Sequence, residues 1–196
     1  MPIKKSKMPA DNANSNKNRA INLCNLGYPE DAVAIAMKSP ELSNLVSDLC
    51  IKASYKLENE GEYLIRNGNI TVAAGKFYEA AKYSHLCGSK IPSNYEYLSK
   101  KAADLFVQAA EMANKLPMKT IFCLAATDNY IAGNCSTEAI VSFSKALRFH
   151  EESKHVLSMD DIDSKLVNIT ESRIKDHKLS KALAMEALRK DRYGYQ

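Results

Sequence analysis

Ala73-x3-Phe77-x2-Ala80, Ala102-x3-Phe106-x2-Ala109 and Ala139-x3-Phe143-x2-Ala146 repeat one spacing three times within 196 residues. On a helix, residues four and seven apart share a face. A small residue there lets a neighbouring backbone come close, and the aromatic ring fills the gap beside it. The pattern therefore predicts helices packed tightly on helices. Only seven glycines and six prolines punctuate the chain. That scarcity argues against a loop-rich β architecture and for long helices joined by short turns.

From Asn18 onward almost every segment reads as helix, and no stretch reads as a convincing strand. "RAINLCNL" stops at Gly27, and "YPEDAVAIAMKS" starts with Pro29 at a first turn and Glu30 and Asp31 at the positive end of the helix dipole. Ser39 and Pro40 open a long amphipathic run whose apolar positions include Leu42, Leu45, Leu49, Ala53, Leu57 and Leu64. Asn67-Gly68 ends it. The next helix carries the first alanine–phenylalanine motif and stops near Gly88. "PSNYEYLSKKAADLFVQAAEMANK" runs to Pro117, "MKTIFCLAATDNYIAG" to Gly133-Asn134, and "STEAIVSFSKALRFHEESKHVL" opens on Ser136 as cap. A last helix, from Met159 to Asp191, has acidic Asp160, Asp161 and Asp163 at its start and basic Arg189 and Lys190 near its end. The expectation is an all-α array of antiparallel helix-turn-helix units, about eight helices in all. Residues 1–17, rich in Asn, Lys and Ser, read as a disordered basic tail. Residues 18–192 read as one helical domain and 193–196 as a short tail.

Upstream residues sharpen the reading. Leu57-x2-Glu60-Gly61-x2-Leu64, with Gly68 at the turn, precedes Ala73. Cys123-x2-Ala126-Thr127-x2-Tyr130, with Gly133-Asn134 at the turn, precedes Ala139. This resembles the tetratricopeptide repeat, W-x2-L-G-x2-Y followed by A-x3-F over 34 residues. On that resemblance residues 54–87 and 120–153 form two units, and a weaker earlier one uses Ala20, Leu23, Gly27 and Ala32. The chain departs from the pattern: it has no Trp, Thr127 stands for Gly, and His85 and Glu151 occupy the place of the closing proline. The opening alanines Ala32, Ala73, Ala102 and Ala139 are 41, 29 and 37 residues apart. Such irregularity is similar to degenerate tetratricopeptide-like bundles, among them the soluble vesicle-fusion attachment proteins and the three-helix domains that bind membrane-remodelling filaments.

The resemblance implies a groove lined by the first helix of each unit. In the first unit that face carries Tyr55, Glu58, Glu62 and Arg66; in the last it carries Leu124, Asp128 and Ile131. The family's clamp for C-terminal carboxylates uses Lys and Asn on this face. Glu58, Glu62 and Asp128 would repel a carboxylate, so the expected partner is a protein or peptide segment of basic or mixed charge.

Chemistry finds less support. The histidines are His85, His150, His155 and His177. Glu152-x2-His155 has the spacing of one half of a di-iron carboxylate site, but a second such motif is missing. No P-loop, dinucleotide fingerprint, zincin motif or nucleophile elbow occurs. The expectation is a non-catalytic adaptor without cofactor or metal; the alternative is a helical enzyme or metal protein built around His150, Glu152 and His155.

The net charge of +4 sits at the ends. Residues 1–20 carry five basic residues against Asp11, and residues 165–192 carry eight against four acids, leaving 21–164 acidic. A nucleic-acid binder concentrates basic charge on its folded face, so nucleic acid is disfavoured; an accessory role through the basic ends stays as a further alternative. Penultimate Tyr195 resembles the C-terminal ending of proteasome activators, with Gly194 where a hydrophobic residue belongs. Leu179, Leu183, Ala184 and Leu188 form a stripe that caps the array or makes a homodimer seam. Cys24, Cys50, Cys87, Cys123 and Cys135 form no CxxC pair and read as reduced, buried side chains of a cytoplasmic protein. Lys4, Lys5 and Lys7 lead into no apolar run, and no stretch has the ~20 apolar residues of a membrane span.

Overall fold

A computed structural model describes residues 10–87 and 92–153. Within them the chain is all-α: α1 (Ala10–Asn25), α2 (Pro29–Lys38), a 3-10 turn (Pro40–Leu42), α3 (Ser43–Arg66), α4 (Ile70–Leu86), α5 (Pro92–Met112), α6 (Leu116–Ala132) and α7 (Ser136–Ser153). Each helix packs on the next in chain order. Cross-helix contacts show that neighbours run antiparallel: Ser54 hydroxyl to the Ala80 carbonyl and Glu60 to Lys76 between α3 and α4, His85 against Tyr95 and Lys101 over Phe77 between α4 and α5. The eighth expected helix, 159–191, and the C-terminal tail lie outside the described residues.

Three connections are built alike. After α1, Gly27 donates to the Cys24 carbonyl at 3.2 Å and Tyr28 to Leu23 at 2.9 Å; after α3, Gly68 donates to Ile65 and Asn69 to Leu64, both at 2.9 Å. After α6, Asn134 donates to Ile131 at 3.1 Å and Cys135 to Tyr130 at 2.8 Å. Each pair is a Schellman closure, which needs one residue in the left-handed region. Gly27 (φ 86°), Gly68 (φ 75°) and Asn134 (φ 56°) supply it. The following residue then starts the next helix: Ala32, Ala73 and Ala139 donate to the carbonyls of Tyr28, Asn69 and Cys135. So α1–α2, α3–α4 and α6–α7 share one corner geometry, and α5 stands between the second and third hairpins. Gly133 has a different task from the one its position suggests. Its φ is −87°, and a β-carbon there would lie 3.1 Å from the Glu96 carbonyl oxygen and from the Lys100 nitrogen, so glycine lets α6 end against α5.

The buried side chains form three overlapping cores. Ala20, Ala32, Val33, Ala36, Leu49, Cys50 and Ala53 join α1, α2 and α3. Leu57, Ala73, Phe77, Ala80, Leu98, Ala102, Leu105 and Ala109 join α3, α4 and α5. Ala103, Ala110, Cys123, Ala126, Tyr130, Ala139, Phe143 and Ala146 join α5, α6 and α7. Helix α5 serves two cores from two stripes, one through Ala102 and Ala109, the other through Ala103 and Ala110. Phe77 and Phe143 are wholly enclosed, whereas Phe106 is half-buried and stacks on Phe122 with centroids 6.4 Å apart.

Several boundaries differ from the sequence-based expectation. Helix α1 begins at Ala10 rather than Asn18, because Asn16 Nδ2 donates to Ser39 Oγ at 3.1 Å and ties the polar first half of the helix to the turn after α2. That hydroxyl is thereby engaged, and Ser39 opens a 3-10 turn with no side-chain cap bond instead of starting α3. Pro117 sits inside the first turn of α6 rather than ending α5, which stops at Met112. Cys135, not Ser136, accepts the first backbone bond of α7.

Among the described glycines, Gly61 makes the closest approach, against Phe77. A β-carbon at Gly61 would come 2.6 Å from the ring. Gly61→Ala should therefore destabilise the protein by about 1–3 kcal/mol through overpacking. Gly75→Ala, in the middle of α4 with open space around it, should stabilise by roughly 0.5–1 kcal/mol through helix propensity. Urea unfolding midpoints of the two variants check both signs.

Candidate functional site

Four of the expected partner-binding residues lie on α3. Tyr55 is half exposed, Glu58 and Glu62 are partly covered, and Arg66 is exposed with its Nε donating to the Glu62 carbonyl at 3.3 Å. The helix beside this face is α5. Lys101 Nζ pairs with the Glu62 carboxylate, donates to the Tyr97 hydroxyl at 3.3 Å and sits 4.6 Å above the Phe77 ring centroid. Both α3 and α5 run antiparallel to α4, so they are parallel to each other. A turn of helix rises about 5.4 Å; stepping back one turn from the Glu62–Lys101 contact sets Tyr97 level with Glu58, and a second turn sets Asn94 level with Tyr55. Tyr97, like Tyr55, is 50% exposed. The surface across α3 and α5 thus presents two tyrosine rings and the Glu58 carboxylate around an ion pair that is already satisfied.

The three expected residues on α6 do not join this surface. Leu124 and Ile131 are buried in the α5–α6–α7 core, and Asp128 is partly covered and already has a partner. The Leu124 and Ile131 side chains pack in one cluster with residues of α5 and α7, so these positions of α6 face the core and not an open groove. The helix that takes the place beside α3 is α5. The sequence signal for it was Tyr97-x3-Lys101, one turn apart on one face, on a helix that the repeat register passed over.

The chain matches no family model, no curated protein and no solved structure.

The charges around this face are organised in two sets. Glu30, Lys56, Glu60 and Lys76 form a chain from α2 across α3 to α4, with contacts of 3.0, 3.6 and 2.8 Å. Glu62 and Lys101 form the second. Burial works against the Lys101 charge, but its bonds to Glu62 and Tyr97 outweigh it and hold the ammonium above its ordinary pKa. Burial likewise opposes the Glu60 charge, and Lys76 and Lys56 together pull that carboxyl below its ordinary 4.5. Near the middle of α5, beside Lys101, Tyr130 donates to Asp104 at 2.7 Å, and Lys100 holds the other oxygen of Asp104 at 2.9 Å.

Around the alternative metal or catalytic centre, Glu152 reaches Arg148 at 3.5 Å and His150 Nδ1 is buried without a hydrogen-bond partner. His155 lies outside the described residues. Among the described residues no three His, Cys, Asp or Glu side chains converge as metal ligands, and no helix is long and apolar enough to cross a membrane.

A pH dependence follows from Glu60. Its folded pKa lies below its unfolded value, so its contribution is complete above about pH 4.5 and is lost as the pH falls further, through the folded value. The urea midpoint should therefore drop on acidification below that point, and Glu60→Gln should flatten the drop. Lys101→Ala should cost about 1 kcal/mol at neutral pH, because the lysine stem covers Phe77 as well as pairing with Glu62. Thermal unfolding in low and high salt checks it: most of the loss should persist in high salt.

Proposed function

We propose that this protein is a non-catalytic, tetratricopeptide-like adaptor that works in the cytoplasm and holds a basic segment of another protein across α3 and α5. The observation that carries the reading is the α3–α5 face. Tyr55 and Tyr97 each expose half their surface, although aromatic rings of this size usually bury most of theirs. Glu58 lies level with Tyr97 and has no ion pair among the described residues. Tyrosine faces attract guanidinium and ammonium groups, and a carboxylate beside them adds a charge-assisted hydrogen bond. Glu62 is already neutralised by Lys101, so the acceptor left for a partner is Glu58. The three matching helix corners support the repeat-like part of the reading, because equal corners hold successive hairpins at similar angles.

The test uses two fluorescein-labelled synthetic peptides, one alternating Arg and Ala and the other Glu and Ala, titrated into the full chain. The Arg peptide should bind and the Glu peptide should not. Glu58→Lys and Tyr97→Ala should each weaken the Arg peptide by about tenfold, or ~1.4 kcal/mol, with unchanged helicity by circular dichroism. Equal binding by wild type and both variants would remove the α3–α5 face as the site.

A further inference from the structure

Two thiols meet where the first core joins the second. Helix α3 turns one stripe, Ser47, Cys50 and Ser54, toward α4. Ser54 Oγ donates to the Ala80 carbonyl at 2.9 Å and Ser47 Oγ donates to the Cys87 carbonyl at 3.3 Å. These two bonds bracket Cys50 against the last turns of α4. The facing stripe of α4 is Ala80, Ser84 and Cys87, again spaced four and three. Cys50 and Cys87 both lie in the first core cluster, and the Cys87 thiol adds to burial in raising the Cys50 pKa. Cys87, the C-cap of α4, is buried in that cluster, with Tyr83 of α4 packed at its edge. Ser84 is buried on the same stripe, and its hydroxyl has no hydrogen-bond partner. A buried hydroxyl left unpaired costs free energy, and Ser84 stands three residues before Cys87 on the same face.

We propose that Cys50 and Cys87 are a redox-responsive pair that closes to an intramolecular disulfide under peroxide, stapling the end of α4 to α3. Cys87 reacts first. It ends α4, with its Sγ on the Tyr83 carbonyl at 3.1 Å, and helix ends open locally more readily than helix centres. Its thiolate attacks one oxygen of hydrogen peroxide; the O–O bond breaks and hydroxide leaves, taking up the thiol proton as water. The product is Cys87 sulfenic acid. Ser84, one turn back on the same face with its hydroxyl unpaired, would donate to the new S–O oxygen. Cys50 sulfur then attacks the Cys87 sulfur, the S–O bond breaks, and the oxygen leaves as a second water with the Cys50 proton. Two thiols lose two electrons and one peroxide gains them. Burial keeps Cys50 a thiol, with its pKa pushed up to about 11, so it reacts only with a sulfur already oxidised beside it. Geometry thus sets the order of events. The staple fixes the angle between the α1–α2 hairpin and the α4–α5 pair, which share α3 as their common wall.

The experiment treats the full-length reduced protein with hydrogen peroxide, alkylates it, and maps the digested peptides by mass. The expected result is one linked pair, the Cys50 peptide with the Cys87 peptide, lighter by two hydrogens and restored by dithiothreitol. The oxidised protein should melt several degrees above the reduced protein. Cys50→Ser and Cys87→Ser should each abolish the link and the shift in melting. Ser84→Ala should slow the linkage in an otherwise folded protein. Links confined to Cys24 or Cys135, over-oxidation of Cys87 without a link, or a linked protein that melts lower than the reduced one would each overturn the proposal.

Discussion

The approach of α3 to α4 at Gly61 sets the geometry on which the rest depends. A glycine hydrogen in place of a side chain lets the Phe77 ring lie flush on the α3 backbone. The ring is then wholly enclosed, and its far face receives the Lys101 ammonium from α5. One aromatic ring therefore touches all three helices of the central core. It lies beneath the Lys101 ammonium, while the Glu62 carboxylate stays open to solvent, so the ring contact adds to a partly screened pair. Without the close approach, α5 would ride higher and Lys101 would lose its carboxylate.

The surface above the ring follows from that stacking. Because α3 and α5 are held in register by Glu62 and Lys101, residues one and two turns earlier also come level. Tyr97 comes level with Glu58 although 39 residues separate them, and half-exposed Tyr55 lies one turn before Glu58 on the same helix. The same packing logic buries the equivalent side chains of α6, which is flanked by α5 and α7. Residues 124 and 131 of α6 fall within the α5–α6–α7 core, whereas residues 55, 58, 62 and 66 of α3 keep contact with solvent.

Much of this was legible in residues. The alanine–phenylalanine spacing identified Phe77 and Phe143 as enclosed rings and Ala73, Ala80, Ala139 and Ala146 as contact points. Gly27, Gly68 and the Gly133-Asn134 pair marked three helix ends, all closed in the same way. The phase of the array was not legible. The same motif occurs in α5, where Ala102 and Ala109 pack on α4; a local spacing reports that two helices touch, not which helix of a pair carries it. Placing α6 on the same face as α3 followed from that ambiguity, and burial of Leu124 and Ile131 exposed it. The start of α1 escaped for another reason. Asn-rich sequence has weak helix propensity, and the bond from Asn16 to Ser39 spans 23 residues, beyond any local pattern.

A double-mutant cycle on the α3–α4 joint tests the central claim most directly. Gly61→Ala, Phe77→Leu and the pair together would be unfolded in urea under one set of conditions. If the ring is what excludes a side chain at position 61, the alanine costs much less once leucine replaces phenylalanine, and the coupling is about 1 kcal/mol or more. Additive effects, with the alanine equally costly in both backgrounds, would mean that Gly61 and Phe77 do not share a contact and that the α3–α5 register rests on something else.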